Sequence, residues 1–132
     1  MNILTFDIEE WYIERQNGDR AEKYAEYDRY LDAILQKLDE CKLKATFFCV
    51  GEMGRCFPEV IRKIQAQKHE IGCHSNIHTW LNKMTMEECM EDTRRAVDSL
   101  EQCIGEKVKS YRAPAFSIGD NNKWAFEILA EN

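Results

Sequence analysis

The feature that most restricts the fold is an alternation of two periodicities. Four short runs rich in apolar, β-branched and aromatic residues, 3–6 (ILTF), 45–50 (ATFFCV), 70–73 (EIGC) and 108–111 (VKSY), are separated by segments whose apolar residues recur at helical spacing. Strand, helix, strand, helix in this order leaves little choice. Parallel strands need crossover connections, the crossovers are right-handed, and the helices cover the sheet. The expected class is α/β, with about four parallel strands alternating with helices, as an open doubly wound sheet or part of a barrel.

The helices can be placed from their apolar faces and ends. The first starts near Asp28, with Leu31, Ile34, Leu35 and Leu38 on one face. The second has Pro58 in its first turn, where a missing N–H is harmless, followed by Val60, Ile61 and Ile64. Thr85 and Glu88 form a capping box for the third, which presents Cys89, Met90, Val97, Leu100 and Ile104 before Gly105 stops it. A fourth runs from about Asn122 to the end. Residues 11–27 read as an irregular βα connection, long enough to suggest a functional loop.

Composition narrows the class further. With 132 residues, 44% hydrophobic and 32% charged, the chain has the make-up of one globular domain spanning 1–132. Its net charge of -6 is spread without a basic block, which argues against nucleic acid as a partner. No stretch reaches the roughly 18 consecutive apolar residues of a spanning helix. The first residues lack the basic and apolar regions of an export signal, so a cytoplasmic location is expected. The six cysteines form no C-x-x-C pair and are expected to be reduced, with Cys49 and Cys73 serving as small hydrophobes inside apolar runs.

The chemistry-bearing residues follow the strands. Asp7, Glu9 and Glu10 come after the first, His74 and His78 after the third, and Arg112 after the fourth. In parallel α/β folds the carboxyl ends of the strands are where active sites assemble. Two histidines four residues apart can place both imidazoles on one side of a helical turn, a geometry that metal sites use, although two surface histidines would share the spacing. If strand geometry continues through residues 7–9, Asp7 and Glu9 point to one side and Ile8 into packing. Glu9 is then the better metal-ligand candidate and Asp7 the better base; the plainer alternative is a solvated acidic strand end. Arg112 enters a rigid turn set by Pro114 and can hold a carboxylate such as Asp7 in a bidentate pair. Phe116 and Ile118 read as core residues. Trp11, Tyr12 and Trp80 suit either sugar stacking or packing.

Taken in order, Leu4-Thr5-Phe6-Asp7-Ile8-Glu9-Glu10-Trp11, Lys44 to Gly51 (KATFFCVG), His69 to His78 (HEIGCHSNIH) and Tyr111 to Ile118 (YRAPAFSI) resemble the motifs of the polysaccharide deacetylase family, also called carbohydrate esterase family 4 or the NodB-homology domain. The resemblance implies a distorted (β/α) barrel and one divalent metal, usually zinc (Zn2+), held by His74, His78 and Glu9. It also implies that Asp7 is the catalytic base and Arg112 the residue that orients it. Ile8 stands where many members carry a second aspartate, so that the motif reads D-x-E. No histidine follows His78, whereas the family carries one later that looks like its catalytic acid. The chain is therefore expected to be the N-terminal portion of a longer domain, needing self-association or a C-terminal remainder.

The expected activity is metal-assisted removal of N-acetyl groups from an N-acetylated sugar or oligosaccharide. Two alternatives stay open: hydrolysis of a non-sugar amide, and a non-catalytic chain that binds metal or carbohydrate or scaffolds a partner. A two-histidine, one-carboxylate set also suits a non-heme iron oxygenase in the abstract, but the alternating βα pattern and the motif order argue against it.

Overall fold

The computed structural model describes residues 3–9 and 20–132, with backbone alone for 20–27. Three strands form one parallel sheet in the order β1-β2-β3: β1 (Thr5–Ile8), β2 (Thr46–Cys49) and β3 (Glu70–Cys73). Helix α1 (Arg20–Glu40) links β1 to β2. Helices α2 (Gly51–Cys56) and α3 (Pro58–Ala66) link β2 to β3. Beyond β3 come α4 (Met86–Ile104) and α5 (Ala125–Glu131), with short 3-10 turns at 81–83, 114–116 and 120–122.

Each strand contributes one face to the core. Phe6 and Ile8, Phe47 and Cys49, and Ile71 and Cys73 join a cluster with Leu31, Leu35 and Leu38 of α1, Met53 of α2, Val60, Ile61 and Ile64 of α3, and Ala96, Val97 and Leu100 of α4. Fully burying each branched side chain contributes about 1.5–3 kcal/mol. A smaller cluster of Leu81, Cys89, Ala125 and Ile128 seats α5 against α4, and Ile118 packs onto it. Lys63 of α3 reaches back to α1, donating to Asp28 at 2.5 Å and Asp32 at 2.8 Å. At Gly51 a Cβ would lie 2.4 Å from the Cα of Ala96, so only glycine lets α2 approach α4 this closely.

Alternation then settles what the opposite face carries. Thr5 and Asp7 leave β1 away from the helices, as period two requires when Phe6 and Ile8 point inward. The register pairs Ile8 with Cys49 and Cys49 with Cys73, so the strands end level and Glu9 and His74 emerge at the same rim.

The helical ends agree with the sequence reading at three points. Pro58 opens α3. The capping box is formed by Thr85 N–H donating to Glu88 Oε2 at 2.8 Å and Glu88 N–H to Thr85 Oγ1 at 3.2 Å. Gly105 ends α4 in the left-handed region at φ 69°, where it carries no Cβ penalty.

Other expectations are corrected. Residues 108–111 make one parallel bridge, Tyr111 to Cys73, instead of a fourth strand. The Val108 N–H is taken by the Glu101 carboxylate at 3.0 Å, so backbone pairing with β3 is confined to Cys73 N–H donating to Ser110 O at 2.8 Å and Arg112 N–H to Cys73 O at 2.9 Å. Helix α1 begins at Arg20 rather than near Asp28, so residues 20–27 of the expected loop are helical; residues 11–19 of that loop lie outside the described residues. Helix α2 was not expected. The last helix is split, a 3-10 turn at 120–122 preceding α5. Met90 is exposed because it lies one residue, about 100° of helix, round from buried Cys89. Phe116 is 96% exposed on a left-handed backbone at φ 52°, not in the core. No helix among the described residues is long and apolar enough to cross a membrane.

Candidate metal centre

Three side chains that are distant in sequence meet where the strands end. His74 Nε2 lies 2.5 Å from Glu9 Oε2, and His78 Nε2 lies 2.6 Å from the same oxygen. One ligand atom from each of the three residues falls within 4.8 Å of the others. Glu9 and His78 are partly buried and His74 is fully so.

The tautomer of His74 decides what this cluster can accept. Its Nδ1 lies 2.7 Å from the backbone carbonyl of Arg112, which can only accept, so Nδ1 carries the proton. In a neutral ring Nε2 then offers a lone pair, and it faces a carboxylate oxygen, which also only accepts. A contact of 2.5 Å then needs a proton on Nε2 or on Glu9 Oε2, and a divalent cation held by these side chains could take that proton's place. A second imidazole nitrogen converges on the same oxygen. This donor chemistry suits a divalent cation, with a protonated imidazole as the metal-free substitute.

The loop carrying the histidines is not the helical turn that their spacing suggested. Residues 74–80 are irregular, and Ser75 and His78 adopt left-handed φ values of 65° and 63°. The loop carbonyls are claimed by α2: Gly51 N–H donates to Ser75 O and Glu52 N–H to Asn76 O, both at 2.9 Å. Arg55 donates to Asn76 Oδ1 at 2.9 Å. With these partners outside the loop, an internal helical hydrogen-bond pattern has no role to fill.

Asp7 stands beside the cluster on the same face of β1. Arg112 Nη1 donates to Asp7 Oδ1 at 2.6 Å, and Nη2 to Thr5 Oγ1 at 2.7 Å. The guanidinium also sits 4.2 Å above the ring of Phe48, which stacks it from below and limits its swing. Arg112 therefore acts twice, through its side chain on Asp7 and through its carbonyl on His74. Its main chain is tied to β3, with its N–H donating to Cys73 O at 2.9 Å.

Sequence reasoning named Asp7, Glu9, His74, His78 and Arg112, and the fold brings all five to one rim. It missed Thr5, whose place two residues before Asp7 is a usable period-two signal, and Phe48, which an apolar run conceals. Of the aromatic candidates, Trp80 is exposed, while Trp11 and Tyr12 lie outside the described residues, as does Glu10.

The cysteines are free, as expected, and the buried pair is chemically quiet. Burial pushes the Cys73 thiol up to about 12 and raises Cys49 further, so neither is a thiolate nucleophile near neutral pH.

Comparison with known proteins agrees with this architecture. The family model for polysaccharide deacetylase matches residues 3–129. A peptidoglycan-N-acetylglucosamine deacetylase of Bacillus cereus is 35% identical over 95 residues, covering 71% of this chain and 34% of that protein. The crystal structure of a peptidoglycan N-acetylglucosamine deacetylase in complex with a 4-naphthalen-1-yl-N-oxidanyl-benzamide superposes with a TM-score of 0.72 at 28% identity, covering 95% of this chain and 51% of that one. A family 4 pseudoenzyme from Bacillus anthracis shares the fold at a TM-score of 0.78 and 21% identity, over 98% of this chain and 39% of that one. The chain thus spans only part of the proteins it matches. Matched by the family model over nearly its whole length, with parallel strands and helices arranged as in the solved deacetylases, the chain belongs to the polysaccharide deacetylase family.

Proposed function

We propose that this chain carries the metal-binding half of a hydrolase that removes acetyl groups from an N-acetylated sugar or oligosaccharide. The observation that carries the reading is the His74 lone pair set against the Glu9 carboxylate with His78 converging on the same oxygen, an arrangement that calls for a cation. Glu9, His74 and His78 would hold one divalent metal, with Zn2+ the best match to two imidazoles and a carboxylate. When bound, such an ion polarises an acyl carbonyl and makes water a better nucleophile at neutral pH.

The chain's own residues do the rest. Asp7 accepts the proton of the attacking water, as general base. Arg112 aims that carboxylate by donating to its Oδ1. The Arg112 carbonyl holds the Nδ1 proton of His74, so that Nε2 stays a donor of electrons rather than of hydrogen bonds. Trp80, exposed two residues beyond His78, is placed to lie against a sugar ring.

Acetate release from N-acetylglucosamine oligomers, with metal content measured in parallel, tests the assignment. In a complete, active version of the domain, Asp7→Asn is expected to lower turnover by about 10²- to 10⁴-fold while metal content is kept. Metal lost together with activity in Asp7→Asn makes Asp7 a ligand and overturns the division of roles.

A further inference from the structure

Both proposed histidine ligands ride on a segment without regular structure, held in a shape that non-glycine residues rarely take. Ser75 and His78 both have left-handed φ, so residues 74–79 would relax elsewhere unless held from outside. The contacts from α2 restrain the carbonyls of Ser75 and Asn76 but leave the N–H groups of this strained backbone to be satisfied by something else.

The Asp92 carboxylate does this. Its Oδ2 accepts the backbone N–H of Asn76 at 2.9 Å. The Ser75 side chain bonds to the same carboxylate, and Ser75 Oγ in turn accepts the Thr79 N–H at 3.1 Å. Because Oγ is the acceptor from Thr79, its own proton is free to go to Asp92. One carboxylate thus reaches the loop directly in its middle and, through Ser75, at its far end, one residue past His78. Asp92 is fixed in turn by α4, a capped nineteen-residue helix whose Ala96 is locked against Gly51 of α2. Burial raises the pKa of the Asp92 carboxyl, and the hydrogen bonds from Asn76 and Ser75 and the charge of Arg55, which holds Asn76 Oδ1, oppose that rise.

We infer that Asp92 is a positioning residue for the metal-binding loop, setting the separation of His74 and His78 before any ion arrives. The inference rests on the metal-site reading above and deepens it. Groups that orient ligands without touching a metal typically contribute 10- to 100-fold in affinity.

Titration of the 132-residue chain with Co2+, followed by its visible absorption, tests this. Asp92→Ala is expected to bind Co2+ about 10- to 100-fold more weakly, with altered band positions, and the Asn76 amide should exchange with solvent faster in the metal-free state. Asp92→Asn keeps one acceptor oxygen and is expected to regain most of the affinity. A role confined to stability would lower the melting temperature and leave the affinity and spectrum of the folded protein unchanged, which overturns the inference. If Asp92→Ala does not fold, Ser75→Ala decides, because it removes the bridge from Asp92 to the Thr79 N–H: weaker Co2+ binding with altered bands is expected, and affinity and spectrum identical to those of the parent overturn the inference. Absence of Co2+ binding by the parent chain fails the metal-site reading itself and the inference with it, so the two failures are told apart.

Discussion

Adding Zn2+ should stabilise this chain strongly, and the size of the effect can be worked out. The binding atoms of Glu9, His74 and His78 are already gathered within 4.8 Å, so binding needs little reorganisation of the fold and couples fully to folding. A ligand that binds only the folded state at 100 times its Kd adds about 2.7 kcal/mol. Unfolding entropy near 60 °C is about 2.1 cal/mol/K per residue. For 132 residues this makes about 0.28 kcal/mol/K, so the melting temperature should rise by about 10 °C. The assay is a thermal melt of the chelator-treated chain with and without Zn2+. His78→Ala is the informative variant, because His78 is only partly buried and its loss leaves the core intact. Its shift should fall below about 3 °C, since loss of one of three ligands brings the same Zn2+ concentration close to the weakened Kd. Arg112→Met should keep the full shift, because the contact to His74 comes from its main chain. An unchanged shift in His78→Ala, or none in the parent, would refute the reasoning.

Arg112→Met should instead lower deacetylase turnover by about 10- to 100-fold: hydrogen bonds to charged groups contribute about 1.5–3 kcal/mol when buried, and this pair, one third exposed, falls toward the lower end. Turnover equal to the parent's would remove Arg112 from the machinery. His69 is nearly buried, accepts the Ala45 N–H at 3.3 Å, and has its pKa lowered, first by desolvation and then by the Lys44 charge. The unfolded chain therefore binds the proton more readily, so stability should be complete above pH 6.5 and decline as pH falls below it; His69→Gln should flatten that part of a denaturation profile measured against pH. Ile64→Ala, at a fully buried position facing the sheet, should cost about 2–5 kcal/mol in urea unfolding. The chain should run as a dimer or larger species in light scattering, since Ile3 and Leu4 at the entry to edge strand β1 are exposed; a strictly monomeric species would contradict this.

Much of the architecture was legible because it depends on short-range periodicity. Leu31, Leu35 and Leu38 mark a helix by spacing alone, Thr85 and Glu88 mark the start of α4, and the ATFFCV run marks a buried strand whatever surrounds it. The site was legible for a related reason: Asp7, Glu9 and His74 lie at or just beyond strand ends, which parallel strands gather at one rim, and Arg112 follows the bridge from Tyr111 to Cys73. Where the reading failed, a longer-range partner had intervened. VKSY has strand character, yet the Glu101 carboxylate takes the Val108 N–H and pairing with β3 is limited to one bridge at Tyr111. Phe116 looks like core, but the turn set by Pro114 turns it outward.

What the sequence determined on its own was the order of the three strands, the apolar faces of α1 and α3, and the residue types available for chemistry, because all three follow from period and propensity within a few neighbours. Tertiary structure alone decided that His74 keeps its Nδ1 proton on the Arg112 carbonyl, thirty-eight residues away, and that its lone pair meets Glu9, sixty-five residues away. It also decided that the histidine loop is irregular, because Asp92 and the first turn of α2 satisfy its backbone groups from outside. Hydrogen-bond satisfaction is a property of whichever atoms end up adjacent, and adjacency across the sheet is not written in any local stretch of the chain.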